Sequence, residues 1–305
     1  MKNFFNGCTA LTDVSFSEFT TQIETKAFAN CTRLHRLVIP PNIKYINDDA
    51  FMGCSSLNEV NIEYKTSDLF IETTATSGVS RILFEDCPLD SVFIDRSIGG
   101  GVSPFKSNNT LRSVTIGDNV KGISSSLFSD CSNLEYIHIG SRVTSIGNKA
   151  FFGCTKLCDF QTGPAVSSIG DNTFSGCVGL KNFTIGQSVS KIGSYAFKGC
   201  VNIEKITCYA SNPPTCNSLA LNDINKFSCV LSVPNGTLSA YKSAYQWKDF
   251  FYVEEIPNDI KAIQTAPECE GKLIYDSIGR RLSTLQRGIN ILRMSDGTTK
   301  KVLIK

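Results

Sequence analysis

The stretch "FSDCSNLEYIHIGSRVTSIGNKAF", residues 128–151, holds one complete unit of a repeat, and this repeat determines the architecture of the chain. The phenylalanine that opens this unit recurs every 23 residues in two runs. The first run comprises Phe5, Phe28 and Phe51, and the second comprises Phe105, Phe128, Phe151, Phe174 and Phe197. Phe84 lies between the runs, after a unit of 33 residues and before one of 21. A period of this length is typical of solenoid architectures.

The spacing inside the unit predicts its local structure. Ile137 and Ile139 are β-branched residues two apart, which indicates a short strand with one buried face. Val143 and Ile146 predict a second, weaker extended segment. A single unit cannot bury this apolar edge alone, so the units are expected to stack into a parallel sheet. The predicted fold is a mainly β, right-handed solenoid of the leucine-rich-repeat class, with 23-residue units.

Most of the 13 cysteines occupy one position of the unit. Eight share it, and Asn108 fills it in the ninth unit; the eight are Cys8, Cys31, Cys54, Cys87, Cys131, Cys154, Cys177 and Cys200. A free cysteine behaves as a small buried hydrophobe with a weak S–H donor. The replacement by asparagine predicts that the position also hydrogen-bonds turn backbone. We therefore expect buried, reduced thiols, while the states of Cys208, Cys216, Cys229 and Cys269 stay open.

Changes in the length of the repeat, and the point where it stops, predict the boundaries between the parts of the chain. Between residues 62 and 105 one long and one short unit meet, and Gly99, Gly100 and Gly101 follow each other. The repeat stops after Cys208, and a solenoid end must be covered. Trp247 and the aromatic residues after it predict such a cap. The predicted divisions are a solenoid at 1–208 with about nine units, irregular at 62–105, a cap at 209–256, a linker at 257–270 and a small antiparallel β module at 271–305.

These units closely resemble the BspA-like leucine-rich repeats of bacterial surface proteins, and "LSVPNGTLSAYKSAYQWKDF" resembles that family's capping segment. The tail is similar to C-terminal β modules of exported Bacteroidetes proteins, including sorting domains, through "YDSIGRRL", "GINIL" and "KKVLIK". The resemblance implies a secreted or surface-attached, non-enzymatic protein that acts in adhesion or host-protein binding. The chain starts inside a unit and shows no export leader, which favours a mature fragment or a piece of a longer product.

Composition and motifs argue against several functions. The net charge of +2 gives no electrostatic case for nucleic acid, and no apolar run is long enough for a membrane helix. His35 and His138 are the two histidines, and they belong to different units. No nucleophile, base and orienting group converge by spacing, and no metal-ligand or phosphate-loop pattern occurs. We expect no enzyme activity, no cofactor and no metal site.

The outward positions of the longer strands form the remaining candidate surface. Interfaces favour Trp, Tyr and Arg at their energetic centres. Seven residues at or beside these positions are the candidate ligand contacts: Arg36, Glu59, Phe93, Arg112, Tyr136, His138 and Asp159. A hydrated surface without a role is the plain alternative for each of them.

Three functional hypotheses follow. The first is recognition of a host or partner protein through this surface and the 62–105 loops. The second is a structural spacer without a ligand of its own. The third is a glycan-binding module, which a shallow aromatic-lined site would favour. The sequence favours a monomer and does not identify the ligand.

Overall fold

The computed structural model describes residues 3–72, 82–100 and 103–257, together with the backbone of four strands between 273 and 304. Through residue 257 the chain winds as a parallel β-solenoid, and each regular turn supplies one longer and one shorter strand. This confirms the predicted leucine-rich-repeat solenoid of 23-residue units.

The strands of the first half are β1 (Gln22–Ile23), β2 (Arg36–Ile39), β3 (Tyr45–Asn47), β4 (Glu59–Ile62), β5 (Leu69–Glu72), β6 (Ser91–Ile94), β7 (Ile98–Gly100), β8 (Ser113–Ile116), β9 (Gly122–Ile123) and β10 (Tyr136–His138). Those of the second half are β11 (Ser145–Ile146), β12 (Asp159–Gln161), β13 (Ser168–Ile169), β14 (Asn182–Ile185), β15 (Lys191–Ile192), β16 (Lys205–Cys208), β17 (Thr215–Cys216), β18 (Val230–Pro234), the helix α1 (Leu238–Ser243) and β19 (Tyr252–Ile256).

The strands line two sides of the solenoid. On one side the longer strands pair in the orders β10-β8-β6-β4-β2 and β12-β14-β16-β18-β19. On the other side the shorter strands pair as β1-β3-β5-β7 and β17-β15-β13-β11-β9. Every pairing among these strands is parallel, as expected when each turn repeats the one before it.

The opening phenylalanines form one interior stack. Consecutive rings lie 5.2 to 5.8 Å apart between centroids, from Phe5 through Phe197. The interior members are fully buried, as for Phe128 and Phe174. Each ring therefore packs against the turn on either side, and the apolar surface that one unit leaves open is closed by its neighbours.

The cysteine position is buried and hydrogen-bonded, as predicted, except that Cys8 in the first turn is only half-buried. The Sγ of Cys131 donates to the carbonyl oxygen of Phe105 in the preceding turn at 3.0 Å, and Cys177 repeats this with Phe151 at 3.1 Å. The Nδ2 of Asn108 donates to the carbonyl oxygen of Cys87 at 2.8 Å. The eight thiols are free and the same bond recurs along the stack, so the column joins successive turns without disulfides.

The residue before each cysteine explains why the motif varies as it does. It adopts a left-handed backbone conformation, with φ of 62° at Asp130 and 80° at Gly176. Glycine, asparagine and aspartate tolerate this region better than other residues. The corresponding positions hold Gly7, Asn30, Gly53, Asp86, Ser107, Asp130, Gly153, Gly176 and Gly199.

After residue 208 the chain adds β17 to the shorter strands and β18 and β19 to the longer strands, and it buries aromatic side chains at this end. Trp247 is 1% exposed, its Nε1 donates to the carbonyl oxygen of Pro214 at 2.8 Å, and its ring meets Tyr241 edge-on. The expectation that Trp247 and Phe250 are buried is confirmed. The extension of that expectation to Phe251 and Tyr252 was wrong, because these rings are 68% and 51% exposed.

The Cys208, Cys216 and Cys229 thiols are free and buried in this cap region, whereas Cys269 lies outside the described residues. Beyond the cap, the chain forms β20 (Leu273–Asp276), β21 (Arg281–Leu282), β22 (Gly288–Arg293) and β23 (Thr299–Ile304). They pair antiparallel in the order β21-β20-β22-β23. Of the predicted linker at 257–270, only Pro257 belongs to the described residues.

Candidate functional site

The register places most of the candidate contacts on one surface. We call the outward side chains of β2, β4, β6, β8 and β10 the main face. Two rows cross it: Arg36, Glu59, Ser91, Ser113 and Tyr136 lie in one row, and Val38, Asn61, Phe93, Thr115 and His138 lie in the other. The alternate residues, such as Leu37, point into the core and are fully buried. Each turn thus contributes two positions whose identity the core does not dictate.

Ion pairs order the charged side chains of the main face. The Arg36 Nε lies 3.1 Å from the Glu59 Oε1, and both side chains are close to half exposed. Arg112, which precedes β8, lies 4.0 Å from Asp90 in the neighbouring turn. Exposed pairs of this kind contribute little to stability. Because little free energy is lost when a ligand separates these ion pairs, both arginines can also contact a ligand.

The centre of the main face is less solvated than the sequence predicts. Ser113 and Thr115 are only 3% and 6% exposed, although they occupy outward positions. Asn61 is 6% exposed, and its Oδ1 has no hydrogen-bond partner among the described residues. Phe93, in register between Asn61 and Thr115, is half-buried. A small desolvated region beside a partly exposed ring is the arrangement found at interface centres.

Asp159 is separated from the other six candidates. It opens β12, and the hydrogen-bonded ladder is interrupted between β10 and β12. Its Oδ1 accepts a 2.7 Å bond from the Asn182 Nδ2. The structure therefore groups Arg36, Glu59, Phe93, Arg112, Tyr136 and His138 along one sheet and places Asp159 at the start of the next.

The irregular units are anchored through a buried arginine that the sequence did not single out. Arg96 is fully buried, and its guanidinium donates to the carbonyl oxygens of Pro41 at 3.3 Å and Pro40 at 3.5 Å. Its Nε has no partner among the described residues. Burial lowers the pKa of Arg96 to about 10, while the carboxylate of Glu63 opposes that shift. The group stays charged at neutral pH and fixes the segment after β6 against a turn two repeats earlier.

A second polar cluster lies across β16, β18 and β19, where the regular 23-residue units end. The Ser232 hydroxyl donates to the Glu254 Oε1 at 2.6 Å, and Lys205 donates to the same oxygen at 3.4 Å. These contacts lower the pKa of the Glu254 carboxyl, the hydroxyl having the larger effect. Sequence reasoning missed Glu254 because β19 lies outside the regular units and its register with β18 is not visible in the spacing.

Within the described part of the chain, no group of three or more His, Cys, Asp or Glu side chains is placed to hold a metal ion. A search of the same residues found no helix of the length and apolarity that a membrane crossing needs. The two histidines, His35 and His138, are both exposed and lie in different turns.

The profile of the BspA type leucine-rich-repeat region matches residues 1–99 and 77–204, in six copies. The chain belongs to this family. The matched region contains the phenylalanine stack, the cysteine column and all seven candidate contacts. Solenoids of this family are of a bacterial surface type and generally serve as protein-interaction scaffolds. No curated protein matches the chain.

Three solved structures are similar to the chain at low identity. A leucine-rich repeat protein from Bacteroides ovatus is 24% identical, with a TM-score of 0.49, and the match covers 82% of this chain and 61% of that protein. The chain thus spans under two thirds of that relative's length. A leucine rich cell surface protein from Faecalibacterium prausnitzii is 23% identical, with a TM-score of 0.37 and coverage of 67% and 74%. The pneumococcal vaccine antigen PcpA is 13% identical, with a TM-score of 0.41 and coverage of 78% and 85%.

Proposed function

We propose that this chain is a non-enzymatic binding protein of the cell surface or extracellular space that recognises a protein, such as a host matrix protein, through its main face. One observation carries the proposal. A single register brings arginine, phenylalanine and tyrosine side chains to one side of a five-stranded sheet, around buried Ser113 and Thr115. Arginine and aromatic residues are enriched at the energetic centres of protein interfaces.

The charge distribution favours a partner of mixed charge. Arg36 and Glu59 neutralise each other, and Arg112 faces Asp90, so the main face carries no block of one sign. A surface of this kind does not steer a strongly charged polymer. Phe93 lies on β6, inside the 62–105 region, which gives that region its proposed part in recognition.

The experiment is a binding screen of the purified chain against immobilised extracellular-matrix proteins. The test variant carries Phe93→Ala and Tyr136→Ala. The matched control carries Phe227→Ala and Tyr245→Ala, which removes two rings that are 78% and 66% exposed at the cap. We expect saturable binding by the native chain and the control, and at least about a tenfold weaker affinity in the test variant, since one hot-spot ring contributes 1.4 kcal/mol or more.

Binding that is equal in all three proteins would place the interface elsewhere. Absence of binding across the screen would favour the structural spacer. Circular dichroism on both variants shows whether a lost signal reflects lost contacts or lost folding.

A further inference from the structure

The shorter strands carry an exposed aromatic pair that the main face does not include. Tyr45 on β3 and Phe70 on β5 lie opposite each other in register, with 38% and 39% of their surfaces exposed. Their rings stack with centroids 5.8 Å apart and an interplanar angle of 27°. The neighbouring side chains in the chain, Ile46 and Ile71, are buried at 1% exposure, so the two rings stand on the outer surface of the solenoid.

A glycine sets the tilt of this pair. Gly99 follows Phe70 in register on β7, and a Cβ placed there would lie 3.0 Å from the Phe70 Cε1 and 3.1 Å from its Cδ1. The Phe70 ring therefore leans over the glycine backbone, and Tyr45 leans on Phe70. Gly100 beside it has φ of 101° and approaches the Ile71 carbonyl, so Gly99 and Gly100 each have a structural cause. Leaning rings turn part of their faces toward solvent, whereas upright stacked rings present only their edges.

The surroundings of the pair are polar. The same row of shorter strands begins with Gln22, which pairs in register with Tyr45, and its Nε2 donates to the Asn47 Oδ1 at 3.2 Å. Asp68 lies next to Gly99, with its Cβ 3.7 Å from the position a side chain would take there, and Glu72 follows Phe70 on the same strand. Among the described residues, the apolar area here consists of two rings inside a border of amide and carboxylate groups.

We propose that Tyr45 and Phe70 form a stacking site for a neutral pyranose sugar of a polysaccharide. An area of two rings is far smaller than a specific protein interface needs. A pyranose ring has an apolar face of C–H groups and a rim of hydroxyls, which matches aromatic rings bordered by hydrogen-bonding side chains. The cation nearest to Tyr45 in sequence is Lys44, whereas two carboxylates, Asp68 and Glu72, lie near Phe70. Negative side chains therefore outnumber positive ones around the pair. This balance disfavours uronic acids, sialic acids and nucleic acid.

Affinity electrophoresis tests the site with named probes: a mixed-linkage β-glucan, a xyloglucan and a galactomannan as neutral polysaccharides, and polygalacturonate as the anionic one. We expect at least one neutral polymer to retard the native chain, and polygalacturonate to leave it unretarded. Tyr45→Ala with Phe70→Ala should weaken the retardation at least tenfold in dissociation constant. Tyr195→Ala removes a ring of the same 38% exposure at another place and should change nothing.

A second variant separates binding from folding. Tyr45→Leu with Phe70→Leu keeps apolar bulk while removing the aromatic faces, and it should lose the retardation with an unchanged thermal transition. The main-face variant Phe93→Ala with Tyr136→Ala should keep it, because this site does not depend on the main face. No retardation by any neutral polymer, or equal retardation of the native chain and the Leu variant, would overturn the proposal.

Discussion

Raising the pH from 8 to 10 is expected to remove most of the stability of the solenoid. Burial raises the pKa of Cys131 and Cys200 to about 12, and it raises the pKa of Cys154 and Cys177 well above the ordinary range. The cap cysteines Cys216 and Cys229 are shifted to about 12 by the same cause. An unfolded thiol ionises near pH ~8.5.

The direction follows from proton binding. Between pH 8.5 and about 12 the folded protein holds thiol protons that the unfolded chain releases, so stability falls as the pH rises. Each such thiol lowers the free energy of unfolding by about 1.4 kcal/mol for every pH unit above pH ~8.5. At pH 10 the loss is roughly 2 kcal/mol for each thiol. The six thiols together reach on the order of 10 kcal/mol, which is comparable to the whole stability of a typical domain.

Urea titrations under reducing conditions at pH 8, 9 and 10 measure this effect. Cys131→Asn supplies the matched control, because Asn108 shows that asparagine at this position donates to a backbone carbonyl of the preceding turn, that of Cys87, without a titrating proton. The variant should lose less stability between pH 8 and 10 than the native chain. An unfolding free energy that is constant across this range would show that the thiols are not buried as described.

Phe151→Ala is expected to destabilise the protein by about 3–5 kcal/mol, the usual cost of truncating a core phenylalanine. Phe151 is fully buried, and its ring stacks on Phe128 at 5.7 Å and on Phe174 at 5.6 Å. Phe160 adds a tilted contact at 5.3 Å. The cavity would open between two turns of a solenoid, where stability depends on contacts between neighbouring units.

Chemical denaturation of Phe151→Ala beside Phe227→Ala measures this cost. Phe227 is 78% exposed, so its loss should change stability by less than about 0.5 kcal/mol. Equal effects of the two substitutions would contradict the interior stack.

Much of the fold was predictable because the same residue pattern occurs in many units of the chain. The 23-residue return of phenylalanine gives the turn length, and the Ile137–Ile139 spacing gives the longer strand. The exchange of cysteine for Asn108 predicted the backbone hydrogen bond that the structure shows. In each case several units carry the same physical constraint, so the common cause can be recognised in one sequence.

The irregular units were less predictable because nothing in them repeats. The spacing alone does not show that Ile71 occupies, in the next turn, the position that Ile46 occupies. This pairing of β3 with β5 places Phe70 beside Tyr45, and the two rings stack as a result. The burial of Arg96 depends on the Pro40–Pro41 turn two repeats away. These contacts arise from how a long unit fits between regular ones, which only the folded chain defines.

The candidate site was likewise predictable only in part. The register rule placed Arg36, Phe93 and His138 on the outside, and the structure agrees. The rule did not predict that Ser113 and Thr115 would be buried there, because solvent access at an outward position depends on surrounding side chains as well as on strand alternation.

The repeated positions fill one continuous core, and the residues of the outward rows lie outside it. Native-state thiol labelling, with mass spectrometry to locate the modified cysteines, tests it most directly. Cys131, Cys154 and Cys177 are fully buried and should stay unlabelled in the folded protein while reacting completely in denaturant. Rapid labelling of these three thiols in the native state would contradict the interior column and, with it, the assignment of the outward rows.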